Sequence, residues 1–407
     1  MSTPKKILIL TSAHLCRNPR VVKEANTLAA AGYSVIVLSI RSHRPSVAAD
    51  AKIIANAKFR HISVEALDGT AAWLRRARTR LARELLGRAH IELPSSLGPA
   101  KALLRASRRI PADLVIAHTE PALWAATQLL NEGRTVSADL EDWHSEDLLP
   151  ADRTYRPLKL LRKIEYRLIH DAGFVSTTSV ALSQSLQSRY GGIAPSVITN
   201  AFPLQPDPFV LNPLHEDQAS PPRLCWFSQT IGPGRGLEPF LDAWALTRTP
   251  SRLILLGEST AVYRNSLLAR LPDSHMKAVE FNDPVAPDVL PEWIAQNHVG
   301  LALERTDIVN RDLTITNKIL QYLNAGLAIL ATPTAGQSEV LSSHPQAGCL
   351  IDLTAPPQHT AKQIDQFISD RGLLATARAA SRRAAESEYC WEHESPRFLA
   401  LVDKALR

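Results

Sequence analysis

The chain has 407 residues, 45% of them hydrophobic and 21% charged, with a formal net charge of +6. This is the composition of a soluble globular protein long enough for two domains, and the positive excess is too small to argue for a nucleic-acid partner. The four cysteines, Cys16, Cys225, Cys349 and Cys390, are scattered without a CxxC pair or a Cys/His ligand spacing. That excludes a zinc motif and a disulfide framework and fits a reducing, cytoplasmic setting. The apolar run Ile7–Leu10 is too short for a signal sequence, and no run approaches the roughly 18 residues that span a bilayer.

Ile7–Leu10 reads as a buried strand. After a loop, a helix is expected from Val21 to Ala31, stopped by Gly32, and then a strand over Tyr33–Ile40. This is a βαβ unit without GxGxxG, which argues against a nicotinamide dehydrogenase. Arg20, at the helix start, is either a surface charge or a basic group turned toward a cleft between domains. Residues 71–110 hold ten basic residues, among them Arg75, Arg76, Arg80 and Arg83, interleaved with Trp73, Leu74 and Leu81. Two readings stay open: a solvated face of an inserted helical pair, or basic amphipathic helices lying on an anionic membrane.

Further strands are expected at Ala112–His118 and Thr135–Ala138, with a helix over Pro121–Leu130 between them. Just past the second of these strands comes Asp139-Leu140-Glu141-Asp142-Trp143-His144. Carboxylates crowded in this way raise at least one of their pKa values unless a cation intervenes. The loop is either a solvated acidic turn or part of a site, and it is not read as a metal centre. A helix over Pro157–Ala172, a strand over Phe174–Thr177, a helix capped by Ser179 and a strand over Ser196–Asn200 close the first half. Residues 201–222 are proline-rich and aperiodic, as linkers are.

The second half begins with the strand Leu224–Ser228 and a loop carrying Gly232, Gly234, Arg235 and Gly236. Glycines let backbone approach a ligand closely, and the helix that follows offers its N-terminus to phosphate. Strands at 252–256, 279–281 and 299–303 lead to Glu304. Then comes Leu313–Pro333, LTITNKILQYLNAGLAILATP. Thr314 and Thr316 are positioned to cap a helix, with Asn317 and Lys318 in its first turn. Gly326 ends the helix, and Leu327–Ala331 reads as a buried parallel strand. Glu339 opens a further short helix, Cys349–Ile351 is the last strand, and Tyr389-Cys390-Trp391-Glu392 enters a final helix.

These segments, in this order, resemble the group 1 (retaining) glycosyltransferases: Asn18–Ala25, Ala112–His118, the Gly232–Gly236 loop, Leu320–Thr332 and Tyr389–Glu392 each match a family motif. The resemblance implies an α/β fold of GT-B type, two Rossmann-like parallel-sheet domains facing each other across a cleft. It implies an acceptor-side domain at 1–200, a linker at 201–222, a nucleotide-sugar domain at 223–385 and a C-terminal helix at 386–407 crossing back to the first domain. It further implies transfer of a sugar from a nucleoside-diphosphate sugar to a glycan or glycolipid acceptor. No cofactor is expected and no nucleic acid. The expected location is cytoplasmic, with residues 71–110 toward the inner face of an anionic membrane.

On this reading Arg235, Lys318 and Glu304 carry the chemistry. Gly232, Gly234, Gly236, Thr316, Asn317, Gln321 and Glu339 hold the donor, and Arg20, His118, Asp139, Glu141 and His144 lie on the acceptor side. Two departures stand out. The family's pair of glutamates falls on Leu313 and Gln321, and the histidine of its acidic loop falls on Glu141, three places before His144. A nucleotide-sugar 2-epimerase of the same fold, or an inactive sugar-nucleotide-binding protein, is the alternative.

Overall fold

The computed structural model describes residues 3–206 and 220–407. The chain divides into two compact units, residues 1–198 with 395–407, and residues 199–394. The first unit is built on a sheet of β1 (Lys6–Leu10), β2 (Ser34–Arg41), β3 (Arg60–Glu65), β4 (Leu114–His118), β5 (Val136–Leu140), β6 (Val175–Thr177) and β7 (Ser196–Val197). Their spatial order is β3-β2-β1-β4-β5-β6-β7, every pairing parallel. The second unit carries β8 (Arg223–Thr230), β9 (Arg252–Glu258), β10 (Val279–Asn282), β11 (Val299–Ala302), β12 (Ala328–Ala331) and β13 (Gly348–Leu350). Their order, β10-β9-β8-β11-β12-β13, repeats the same winding, again all parallel. In a doubly wound sheet the strand order reverses at one point, and ligands bind outside the carboxyl ends of the strands there. That point lies between β1 and β4 in one unit and between β8 and β11 in the other.

The central strands read as continuous apolar runs because helices cover both their faces. Ile7–Leu10 and all of β4, β5, β11 and β12 are buried. Burying each large aliphatic side chain is favourable by about 1.5–3 kcal/mol. In the second unit, Trp226, Phe240 and Trp244 fill one face of the sheet, while Ile319, Leu320, Tyr322 and Leu323 fill the other. Gly300 on β11 leaves room for the Tyr322 ring, which would lie 2.2 Å from a Cβ added there. Tyr322 then reaches back to the carbonyls of Leu301 and Cys225, at 3.3 Å each. This seats the helix Asn317–Asn324 against the strand whose end forms the site.

Several elements go beyond the sequence-based expectation. The strand β3 and the helix Arg44–Ala55 occupy a region left unassigned there. The helices Pro357–Ser369 and Arg371–Ser387, also unassigned, pack on the second sheet. Of the proline-rich stretch 201–222, residues 207–219, with Pro208 and Pro213, lie outside the described residues. Its first residues are bound to the second unit: Phe202 pairs with Cys390, Gln205 N–H donates to Asn324 Oδ1 (2.9 Å) and Asn324 Nδ2 to the Pro203 carbonyl (2.8 Å).

Candidate functional site

In the second unit the chain leaves β8 with a register shift after Phe227 and turns through the glycine loop. Gly234 and Gly236 take φ values of +73° and +78°, the left-handed region that side chains avoid. Gly236 also sits against the end of β11, where an added Cβ would lie 3.1 Å from Leu303 Cβ. The loop is thereby pressed across the switch point onto the residue before Glu304. The helix Leu237–Trp244 starts at Gly236 with no side-chain cap. Arg235 is half-buried, and among the described residues its guanidinium makes no hydrogen bond or ion pair. Arg311 Nη1 reaches the Gly234 carbonyl at 3.4 Å.

Glu304 follows β11, its N–H bonded to Thr332 Oγ1 past the end of β12 (2.8 Å). Its Oε1 meets Lys318 Nζ at 2.6 Å, with both side chains largely buried. The ammonium also lies 5.6 Å from the Trp226 ring centroid, a distance at which the ring quadrupole attracts a cation. The structure thus pairs the two residues that the sequence assigned separately as a carboxylate and a cation.

Neither threonine ahead of this helix caps it. Thr316 occupies the N-cap position without a side-chain bond to the helix, because its hydroxyl donates to Gln337 Oε1 (3.4 Å). Thr314 donates to the Asn310 carbonyl (2.7 Å). The helix Asn317–Asn324 therefore starts, among the described residues, without a side-chain cap from its N-cap residue, and an uncapped N-terminus attracts anions. Asn317 Oδ1 is taken by Asn200 Nδ2 at 2.9 Å. One turn on, Gln321 Oε1 is buried without a partner among the described residues, and a buried unsatisfied acceptor in an otherwise well-bonded fold marks a place where a ligand donor would fit.

Asp312, beside the slot of the family's first glutamate, accepts the Ala335 N–H (3.1 Å). It thereby adds to the Thr334 N-cap of the helix Ala335–Ser343, whose Gly336 lies so close to the Thr314 carbonyl that a Cβ there would stand 2.4 Å away. Glu339 is the fifth residue of that helix rather than its first, and its charge acts on Tyr389. Trp226, Arg311, Thr332 and Gln337 were not singled out from the sequence. Trp226 is hidden in an apolar strand run, whereas the polar Thr332-Pro333-Thr334 just after β12 was a usable signal.

In the first unit the residues read as acceptor-side separate into two groups. Arg20, His118 and Asp139 are interior, at 0%, 1% and 1% exposure. Arg20 is fully buried among residues of the first unit. Its helix, capped by Asn18, turns it inward so that Nε and Nη2 donate to Asp139 Oδ2 (2.9 and 2.6 Å) and Nη1 to the Ile198 carbonyl (2.8 Å). Its Nε is also 3.3 Å from Glu24 Oε1, and Glu24 Oε2 is 3.0 Å from His118 Nε2. Burial alone would lower the His118 pKa, but Glu24 and Asp139 together outweigh it and raise the pKa above its ordinary value. Atoms of Glu24, His118 and Asp139 lie close enough to converge on one cation. Arg20 already supplies a permanent positive charge there.

Glu141 and His144 lie in the loop after β5 and are half-buried. Burial, then the neighbouring Asp142, pushes Glu141 up to about 7. His144 Nδ1 is 3.7 Å from Glu120 Oε1, and Arg156 binds both that carboxylate and the His144 carbonyl (2.5 and 2.8 Å).

Residues 221–370 match the family described as Glycosyl transferases group 1. No curated protein sequence matches the chain significantly. Among solved structures it is similar to the sucrose-phosphate synthase of Thermosynechococcus elongatus, at 15% identity with a TM-score of 0.71, covering 98% of each chain. It is similar to Anabaena HepE, solved with UDP and glucose, at 18% identity and a TM-score of 0.69, over 98% of this chain and 99% of that one. WaaG, a glycosyltransferase involved in lipopolysaccharide biosynthesis, matches at 13% identity and a TM-score of 0.62, over 97% and 99%. The fold is of GT-B type: two parallel-sheet α/β units with the winding described above.

Proposed function

We propose that the protein transfers a glycosyl group from a nucleoside-diphosphate sugar to a glycan or glycolipid acceptor. The observation that carries this reading is the convergence, at the switch point of the second unit, of a glycine loop and two uncapped helix N-termini with Arg235, Arg311 and Lys318. That is the chemistry of a diphosphate site. The family match falls on this same unit, and HepE, of like fold, was solved with UDP.

In this mechanism the diphosphate leaves with its growing charge held by Arg235, Lys318 and the free amides. Such preorganised electrostatic help is often the largest single catalytic contribution. Gln321 accepts from a ribose hydroxyl, with Glu339 as the second candidate. Glu304 holds Lys318 in place. The cations do the work that a metal would otherwise do. Retention at the anomeric carbon is part of the reading, supported by the resemblance of the Thr314–Thr332 segment to retaining enzymes. The working location is the cytoplasm at an anionic membrane face, toward which the helix Gly69–Ala89 would turn its exposed Trp73, Leu74 and Leu81.

The test is a thermal-shift panel of nucleotides and nucleotide sugars, followed by release of nucleoside diphosphate from the best donor with and without an acceptor extract. Acceptor-dependent release is expected. Release without acceptor would favour the epimerase, and binding with no release in either arm an inactive binder.

A further inference from the structure

A separate cavity of about 740 Å³ lies wholly within the first unit. Ser12, Ser42, Arg75, Arg76, Arg80 and Arg83 are among its walls. Ser12 stands just past β1, Ser42 just past β2, and Ala66, another wall residue, just past β3. The cavity therefore opens at the carboxyl edge of three adjacent parallel strands, where doubly wound sheets bind ligands. Its volume falls in the range of small-molecule sites.

Its lining is strongly cationic, four arginines against one acid, Glu84. The four arginines follow one another at i, i+1, i+5 and i+8 along the helix Gly69–Ala89, which brings them to one side of it. Arg75 and Arg76 are fixed by backbone carbonyls at the end of β3, of Glu65 for one and of Ala66 and Leu67 for the other. Arg83 Nε donates to the Ser96 carbonyl at 3.1 Å. Arg80 has no hydrogen bond or ion pair among the described residues. Carbonyl oxygens orient a guanidinium without neutralising it. The nearby acids are each engaged by a different arginine: Glu65 by Arg41, Asp68 by Arg44, and Glu84 by Arg88, at 2.7, 2.7 and 3.3 Å. Like charges one turn apart cost a helix about 0.2–0.5 kcal/mol per pair, so this stripe opposes the helix that carries it unless an anion binds.

The wall residue Ser12 is held by a neighbour in an uncommon conformation. Thr119, next to His118 at the end of β4, has φ +67° without being glycine, which costs on the order of 1–3 kcal/mol and tends to persist at functional sites. It places Thr119 Oγ1 2.9 Å from both the N–H and the hydroxyl of Ser12, fixing a cavity-wall hydroxyl across the switch point.

We infer that this cavity is an anion site that receives an acceptor bearing phosphate-type charge, at least two negative charges on one group or on adjacent groups. The forked guanidinium groups suit bidentate oxyanions, and the volume leaves room for a sugar beside them. The assignment as acceptor rests on the proposed function; the anion site itself does not.

The experiment is calorimetric titration of the full chain with inorganic pyrophosphate, UDP being present at saturation to fill the second unit. The double variant Arg80→Gln/Arg83→Gln is compared, with circular dichroism as a check that the exposed substitutions leave the fold intact. Binding that falls by about tenfold or more in the variant, about 1.4 kcal/mol, with UDP affinity unchanged, is expected. Should the glutamine pair fail to fold, Arg80→Lys/Arg83→Lys keeps the charge and loses the forks, and intermediate binding is expected. Equal pyrophosphate affinity in variant and parent would overturn the site. So would anion dependence seen only with phosphatidylglycerol vesicles and never with soluble pyrophosphate, since that would make the helix a membrane surface instead. If UDP fails to bind while pyrophosphate binding still depends on Arg80 and Arg83, the glycosyltransferase reading falls and the anion site stands.

Discussion

Lys318 Nζ lies 2.6 Å from Glu304 Oε1, so the cation offered to a diphosphate is already shared with a carboxylate. Removing either partner separates their roles. Lys318→Ala is expected to weaken UDP binding by about 10- to 100-fold, about 1.4–2.7 kcal/mol. Glu304→Gln removes the competitor for the ammonium, so UDP affinity holds or rises while turnover of the sugar donor falls. Calorimetry with UDP and a donor-release assay on both variants check this; weaker UDP binding in Glu304→Gln would contradict it.

Arg235 is the one loop cation of the site with no partner among the described residues, so its truncation should leave the fold alone. Arg235→Ala is expected to keep its melting temperature within about a degree or two, consistent with the small effects of surface changes. UDP affinity or turnover should drop by at least about tenfold. Unchanged affinity and rate would remove Arg235 from the site.

Arg20 is the converse case. It neutralises Asp139 and Glu24 in the interior, and deleting one partner of a buried ion pair costs about 3–5 kcal/mol. Arg20→Ala should lower urea stability by that order, and Arg20→Lys should not restore it, because three directed N–H bonds are lost. A loss below about 1 kcal/mol would mean that the cluster adapts without it.

Glu141 sets a pH dependence. Its folded pKa is raised to about 7, above the ordinary carboxylate value near 4.3, so folding favours its protonated form. The native state is favoured below the unfolded pKa, and that advantage is lost as pH rises through 7. Glu141→Gln, which stays neutral, should therefore stabilise the protein several-fold more at pH 8 than at pH 5. Melting temperatures at the two pH values read this directly; an equal shift at both would reject a raised Glu141.

Gly336→Ala probes the packing that sets the helix end at Asn317. A methyl group there meets the Thr314 carbonyl at 2.4 Å, and overpacking of this kind costs about 1–3 kcal/mol. UDP affinity should fall along with stability, since the backbone that must move leads into the uncapped amides. Stability loss with unchanged affinity would separate the two.

The central strands were legible because buried parallel strands are uninterrupted apolar runs, as in Ile7–Leu10 and Val299–Leu303. β3 was not, because its sequence RHISVE has only Val64 buried, and an edge strand shows no such run. The glycine loop and Lys318 were legible from spacing and motif. The interior place of Arg20 was not, since its partner Asp139 is 119 positions away and no local pattern distinguishes a surface arginine from a buried one. Thr316 was misread for a related reason. Its N-cap position is local, but the acceptor that draws its hydroxyl away, Gln337, belongs to the next helix. The arginines at 75–83 were legible as charge, and the cavity they line was not, because it is assembled from three strand ends.

The helix Trp391–Ala405 starts in the second unit and finishes in the first, where Phe398 and Val402 are buried and Phe398 meets Phe174 edge-on. During synthesis, then, the domain translated earliest lacks a piece of its own interior until residues 395–407 have emerged from the ribosome. Its partner holds all its material sooner. The usual order, in which the N-terminal domain matures first, is reversed, and a nascent chain stalled before position 395 would expose the unfilled apolar site to chaperones.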